Sequence, residues 1–260
     1  MVHGDPQQRS ARLAEVTEIL KREAQPEERE LLLSLAPILF GGMPARLALD
    51  LPAPAVAARV LLHFRFVARE MPPGHQLYKG LPGIHVSVRN PSEEEARALG
   101  GGAGLPLETT IVQTHTPDRP FIFDSVKNYL QKCGLRVFST IHPIFTVRRQ
   151  WERIVSLGGP QEEGSRESYC FFQIEPLGSR ERVRRVEHEV FSLLKAVFLA
   201  VDDFQDMGRA CRELVPRLRS RRGDAAELAS VRAFLEWLLD DNYIFMGTID
   251  NWKALGGPNK

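Results

Sequence analysis

Cysteine is scarce in this chain, and no two cysteines stand close together. Cys133, Cys170 and Cys211 are odd in number and far apart, with no C-x-x-C spacing. Neither a disulfide framework nor a zinc site is encoded, and a reducing, cytoplasmic setting is expected. Net charge is almost absent as well: 34 Lys and Arg stand against 33 Asp and Glu, leaving +1. No global charge bias points to nucleic acid or to an acidic membrane surface. Long apolar runs are missing too. The greasiest stretch, residues 31–51, is interrupted by Pro37, Gly41, Gly42, Pro44 and Arg46, which excludes a membrane span, and the first ten residues are polar and lack the apolar core of a signal peptide.

The signatures of nucleotide and metal chemistry are also wanting. Gly102-Ala103-Gly104-Leu105-Pro106-Leu107 begins like a dinucleotide fingerprint, but Leu107 stands where the third glycine belongs and the run precedes a strand instead of a helix. No Gly-Lys-Ser/Thr phosphate loop occurs. His188-Glu189-Val190-Phe191-Ser192 approaches a zinc-protease helix, but Ser192 replaces the second histidine ligand. No catalytic residue, cofactor site or metal site is therefore expected in this chain.

What remains is an ordinary soluble composition, 43% hydrophobic and 26% charged over 260 residues, enough for one large domain or two small ones. The periodicity divides the chain into three zones. Residues 1–105 read as a helical region: Leu13, Val16, Ile19 and Leu20, then Leu31, Leu32, Leu35 and Ile38, then Val56, Val60, Leu61, Phe64 and Val67 recur at helical spacing and predict three helices. Pro72-Pro73-Gly74 closes them, a short strand over 84–88 ends at Asn90-Pro91, and Gly100 to Gly104 form a flexible connector. Residues 106–205 carry the order β-α-β-β-α. A strand led by Ile111 and Val112 stops at Pro117, and a helix follows with Phe123, Val126, Leu130 and Phe121 on its apolar side and Gly134 as a left-handed cap. A long strand over 136–148, a polar loop over 158–167, a hairpin-paired strand over 168–175 and a Ser179-capped helix with Val183, Val186, Val190, Leu193, Val197 and Val201 on one stripe complete the zone. The last strand of such a sheet is unclear or supplied from elsewhere. The fold class is α+β, an ACT-like, ferredoxin-like split βαβ sandwich with both helices on one face, flanked by N-terminal and C-terminal helical segments. Residues 206–260 are helical again, with stripes at Leu214, Val215 and Leu218 and at Leu228, Val231, Phe234, Leu235 and Leu238, and a new strand opens over 242–249.

The strand-to-helix turn holds the candidate site: Asp118, Arg119, Pro120, Phe121, Asp124 and Ser125, joined by His142 from the following strand. Asp118 is placed to cap the helix with Pro120 in its first turn. Asp118 and Ser125 can also hold the α-amino or carboxylate group of an effector; capping and local hydrogen bonding is the simpler reading. His142 before Pro143 has no acid or nucleophile fixed beside it by sequence, which favours a satisfied strand histidine over a catalytic one. Arg148 and Arg149, with Arg180, Arg182, Arg184 and Arg185, read as solvated faces, because Glu181, Glu187 and Glu189 interleave with them. Asp240 and Asp241 resemble an acidic turn more than a metal site.

Several of these segments carry a resemblance. Asp118 to Val126 (DRPFIFDSV), Ile141 to Ile144 (IHPI), Val147-Arg148-Arg149, Glu167-Ser168 and Leu238 to Gly247 (LLDDNYIFMG), with Arg89-Asn90-Pro91 upstream, are similar in order and content to the large bacterial NAD-specific glutamate dehydrogenases, over roughly residues 47–248. The resemblance implies the N-terminal, ACT-like region of such an enzyme, ahead of further ACT-like and helical segments and of the dehydrogenase domain, which nothing here matches. It implies NAD as the cofactor of the full-length enzyme, whose reaction is oxidative deamination of L-glutamate to 2-oxoglutarate and ammonium. The implied partners are the remaining segments of the enzyme, a homo-oligomer and an amino-acid effector. ACT domains that bind effectors usually have glycine where this chain has Phe121, and a phenyl ring there suits packing and assembly better than ligand approach. A free-standing amino-acid sensor is the alternative.

Overall fold

The computed structural model of the chain describes residues 6–68, 83–100, 105–106, 108–150, 153–219 and 223–243. Pro72-Pro73-Gly74, the connector over 101–104 and the strand expected from Ile244 onward lie outside the described residues. Two compact units divide at 195/196.

The first unit opens with helices α1 (Pro6–Glu23), α2 (Arg29–Gly42), the short α3 (Ala45–Leu49) and α4 (Ala53–Val67). Three were expected; α3 is a single extra turn between two prolines, Pro44 and Pro52, each standing at a helix start. Strand β1 (His85–Arg89) follows, then α5 (Glu93–Gly100), a helix that the apolar periodicity does not announce. A reciprocal capping box starts it: the Glu95 amide donates to Ser92 Oγ at 3.2 Å and the Ser92 amide to Glu95 Oε2 at 2.8 Å. Arg89 adds two bonds to the same carboxylate, at 2.6 and 2.7 Å, and with the Ser92 bonds holds Glu95 down at about 2 against the cost of its burial.

The sandwich proper comprises β2 (Thr110–Pro117), α6 (Ile122–Lys132), β3 (Val137–Ile141), β4 (Ile144–Gln150), β5 (Arg153–Gly158), β6 (Ser165–Ile174) and α7 (Arg180–Asp202). Every described pairing is antiparallel, in the order β1-β2-β6-β4-β5, with β3 beside β4 along the same side of β6. The split βαβ arrangement is present: β2 and β3 flank β6 and are joined through α6. The missing strand is β1, which comes from upstream and pairs along β2 from His85↔His115 to Arg89↔Ile111.

Two strand expectations are corrected. The long strand over 136–148 breaks at His142-Pro143, because proline has no amide proton for the ladder; β3 pairs with the far end of β6 and β4 with its beginning. The loop read over 158–167 is shorter than expected, since β5 forms a hairpin with β4 and β6 starts at Ser165.

Strand register sorts the side chains. Ile111, Gln113 and His115 of β2, Tyr169, Phe171 and Gln173 of β6, and Phe145 and Val147 of β4 point to one face. Ile111, Phe145, Val147, Tyr169 and Phe171 join a single core with the buried side chains of α1, α2, α3 and α4. On the opposite face Phe172 stacks with Phe123 of α6 at 5.2 Å, and Val126 and Leu130 are buried behind it. Helix α7 lies beside α6, its Glu189 accepting from the Tyr129 hydroxyl, and its Glu187 accepts from the Val88 amide of the edge strand β1 at 3.2 Å. Val186 and Val190 are buried on the stripe expected for α7, and Leu194 is buried where Leu193 was expected. Both faces of the sheet are thus covered, giving three layers.

The second unit contains the last residues of α7, then α8 (Phe204–Arg219), α9 (Ala225–Trp237) and a π-helical turn, Leu238–Asn242. Asp224 caps α9 by accepting from the amides of Ala226 and Glu227.

Candidate functional site

Pro117 ends β2, and the turn that follows is tied to β6 instead of to the helix it precedes. The Asp118 amide donates to the Arg166 carbonyl at 2.9 Å, and its carboxylate meets the Arg166 guanidinium at 2.9 Å. Asp118 therefore does not cap α6, as the sequence suggested: the helix begins later, at Ile122, and Phe121 occupies the cap position with no side-chain cap bond. Arg119 donates to the Asp118 carbonyl at 3.1 Å. Ser125 contributes its amide to the Phe121 carbonyl, within the helix start. Pro120 and Asp124 are exposed.

Phe121 is the unusual member. Its φ of 71° and ψ of 0° are left-handed, and it is the one non-glycine residue with positive φ among the described residues. For an L-residue with a Cβ that conformation costs roughly 1–2 kcal/mol. The ring is also 49% exposed, not on the buried stripe of α6, where Ile122 takes the place expected of it.

His142 joins this turn through α6. Its ring stacks on Phe123 at 4.9 Å, so that Phe123 lies between His142 and Phe172, and Nε2 stands 2.9 Å from Ser168 Oγ. Burial lowers the imidazole pKa, opposed by the nearby Asp118 and Asp124 carboxylates, so the ring is neutral at pH 7. A histidine and a serine in contact invite comparison with a nucleophile and its base, but Ser168 is fully buried. Its other neighbour, Cys170 at 3.8 Å, has its thiol pushed up to about 12 by burial. Neither group offers a reactive anion to solvent. Among the described residues no three metal-ligating side chains cluster.

The register brings in His115 and Glu167, to which sequence reasoning gave no role in a site, and corrects Arg149, read there as part of a solvated face. Glu167 of β6 lies on the other face, 6% exposed, with its Oε2 2.6 Å from His115 Nε2 of β2 and 2.8 Å from the Arg149 guanidinium of β4. The histidine contact is a close polar one, off the axis of a straight hydrogen bond. Burial, the largest influence, pushes the Glu167 carboxyl up, but His115 and Arg149 together outweigh it, and the net displacement is downward. Three strands are thereby pinned below the turn. Pairing of Pro117 with Glu167 creates this cluster, and no spacing within either strand announces it.

The arrangement holds a rigid, strained turn on a braced sheet end and leaves Pro120 and the Phe121 ring projecting. Residues 36–190 match the family described as Glutamate dehydrogenase, ACT1 domain. The chain is 31% identical over 168 residues to an NAD-specific glutamate dehydrogenase of Pseudomonas aeruginosa and 28% identical over 169 residues to one of Halomonas elongata. Each match takes in 62% of this chain and 10% of the relative, so the chain spans about a tenth of the length of the curated relatives it matches.

Proposed function

Since the chain belongs to the glutamate dehydrogenase ACT1 domain family, we propose that it is the N-terminal regulatory and assembly region of an NAD-dependent glutamate dehydrogenase and carries none of the chemistry itself. NAD and glutamate are then handled by other segments of the same enzyme. Among the described residues no helix is long and apolar enough to cross a membrane, in keeping with a cytoplasmic enzyme.

The observation that carries the assembly role is Phe121. Strained backbone persists where surrounding structure enforces it and a function uses it, and here the strain sets an aromatic ring outward beside Pro120. The ring is a packing knob for another segment or a second subunit, and it covers the approach an effector would need at this turn. Asp118, Arg119, Asp124, Ser125 and His142 support the knob and line its surroundings. An amino-acid sensor built on the same turn is the competing reading, and the ring stands against it.

The test is made in the full-length enzyme. Phe121→Gly keeps the backbone and removes the ring; it is expected to reduce the assembled mass measured by light scattering, or to change the dependence of NADH formation on glutamate, with KM for NAD unchanged. Wild-type mass and wild-type kinetics together would discard the assembly role. Titration of this chain with glutamate, aspartate and branched-chain amino acids, abolished by Asp118→Ala, would install the sensor in its place.

A further inference from the structure

Helix α9, in the second unit, is apolar around more of its circumference than one neighbouring helix covers. Nine of its thirteen residues are Ala, Val, Leu, Phe or Trp, yet none is buried. At about 100° per residue Leu228 and Leu235 share one side, where both are partly buried. Val231, Phe234 and Trp237, at every third position, wind along the adjoining side and are 41, 57 and 51% exposed. The Phe234 and Trp237 rings stack on each other at 6.1 Å. On α8, Leu214 is open as well. A helix this short is marginal in water unless its apolar face is packed, and an aromatic stripe of this kind is more than the single apolar residues ordinary on a surface.

The charges say what covers the stripe. Residues 204–219, which form α8, hold four arginines against two carboxylates; residues 224–242, which cap and form α9 and the π-helical turn, hold five carboxylates against Arg232. Arg209 with Asp206, Arg217 with Glu213 and Arg232 with Glu236 pair within their own helices. Such pairs leave the surplus untouched, positive on α8 and negative on α9. The two helices are joined by a short connection, residues 220–224, and lie against each other as a hairpin.

From this pattern we propose that the α8–α9 hairpin docks on the same hairpin of a second copy of the chain, the two closing a four-helix bundle over Val231, Phe234 and Trp237 with each α8 beside the other copy's α9. A two-fold interface uses one patch twice, so a hairpin with one basic and one acidic helix is its own complement. Packing α9 on α9 would bury the same aromatics but set carboxylate against carboxylate, which selects the alternating arrangement. The aromatic rings sit on the acidic helix, which turns nucleic acid and anionic lipid away. The surface shares no residue with the Phe121 turn, and neither role rests on the other.

Sedimentation velocity of the chain between about 1 and 100 µM tests it. A monomer–dimer equilibrium is expected, and Phe234→Gln combined with Trp237→Gln is expected to raise its dissociation constant at least about 30-fold with helix content by circular dichroism unchanged. Phe121→Gly is expected to leave the equilibrium where it is. Charge reversal tests the arrangement, with Arg209→Glu and Arg217→Glu in one variant and Glu227→Lys and Asp240→Lys in another. Each variant alone is expected to dimerise more weakly than the native chain, and an equal mixture to recover native association as a heterodimer. Should the aromatic variant fail to fold, the charge variants, which keep every apolar side chain, decide the same question. A monomer at every concentration, or a dimer indifferent to loss of the two rings, would overturn the surface. Loss of the dimer in Phe121→Gly would give the association to the other turn and overturn it equally. A mixture no better associated than either charge variant would overturn the pairing of α8 with α9.

Discussion

Phe121 shows what a single residue can reveal once its backbone is known. The sequence made plain that a phenyl ring stands where the family's effector sites want glycine; the left-handed conformation that glycine would have served is visible only in the fold. Glycine at this position should therefore relieve the chain. In thermal unfolding, Phe121→Gly is expected to be about 1 kcal/mol more stable than Phe121→Ala, which loses the ring but keeps the strain; equal melting temperatures would show the turn to be relaxed. His63 makes a second point at this scale. Burial, helped by the Arg59 charge, holds its imidazole down at about 3, while an unfolded histidine titrates near 6.5. The folded value is the lower, so this contribution is complete above about pH 6.5 and is lost as the pH falls toward 3. By pH 5 the loss is roughly 2 kcal/mol. Urea unfolding at pH 7, 6 and 5 should show His63→Gln, which can still accept from Tyr169, with a shallower decline than the native chain, and parallel declines would contradict the assignment. Nothing in the sequence marked His63, which sits on the apolar side of α4 and is met from the sheet by Tyr169 and Phe171.

At the scale of elements, local chemistry was legible and pairing was not. The end of α6 follows the sequence: the Gly134 amide donates to the Gln131 carbonyl and the Leu135 amide to the Leu130 carbonyl, a Schellman motif with Gly134 at φ 74°. Helix α5 has a local signal as well, in the spacing of Ser92 and Glu95, although its apolar pattern is too short to stand out. Strands β3 and β4 read as one because their residues alternate on both sides of His142-Pro143, and only the partner strand shows the break. The origin of the fourth strand of the sandwich lay beyond any local signal. Two glycines separate backbone cost from steric cost. A Cβ at Gly134 meets nothing within 4 Å, so Gly134→Ala is expected to cost only its backbone term, about 1 kcal/mol. At Gly164, where φ is 148°, a Cβ would stand 2.6 Å from Thr146 Cγ2 and 2.7 Å from the Val147 carbonyl oxygen, so Gly164→Ala should be clearly the more destabilising in denaturant titrations. The reverse order would mean that the β4–β6 end yields easily.

For the molecule as a whole, the sequence announced a two-layer sandwich with helical flanks, and the first unit has three layers. The apolar positions of α1, α2 and α4 are one-sided in the sequence, but what they cover, a row of Ile111, Phe145, Val147, Tyr169 and Phe171, could be assigned only once register fixed which strand parity faced them. A chain beginning at residue 83 keeps every strand and strips that face. It is expected to elute as a soluble aggregate and to lose sharp near-ultraviolet circular dichroism, since so large an apolar patch is not left open on a monomer; a cooperative monomer would show the N-terminal layer to be dispensable. The placement of β1 has one more consequence. In a sandwich whose last strand follows its second helix, that helix is bound to hand the chain back to the sheet. Here the slot is taken by a strand that leaves the ribosome before the rest of the sandwich, so the exit is free, and α7 runs on for 23 residues, about 35 Å, without turning home. The order of synthesis has thus taken from α7 the task of closing the sheet.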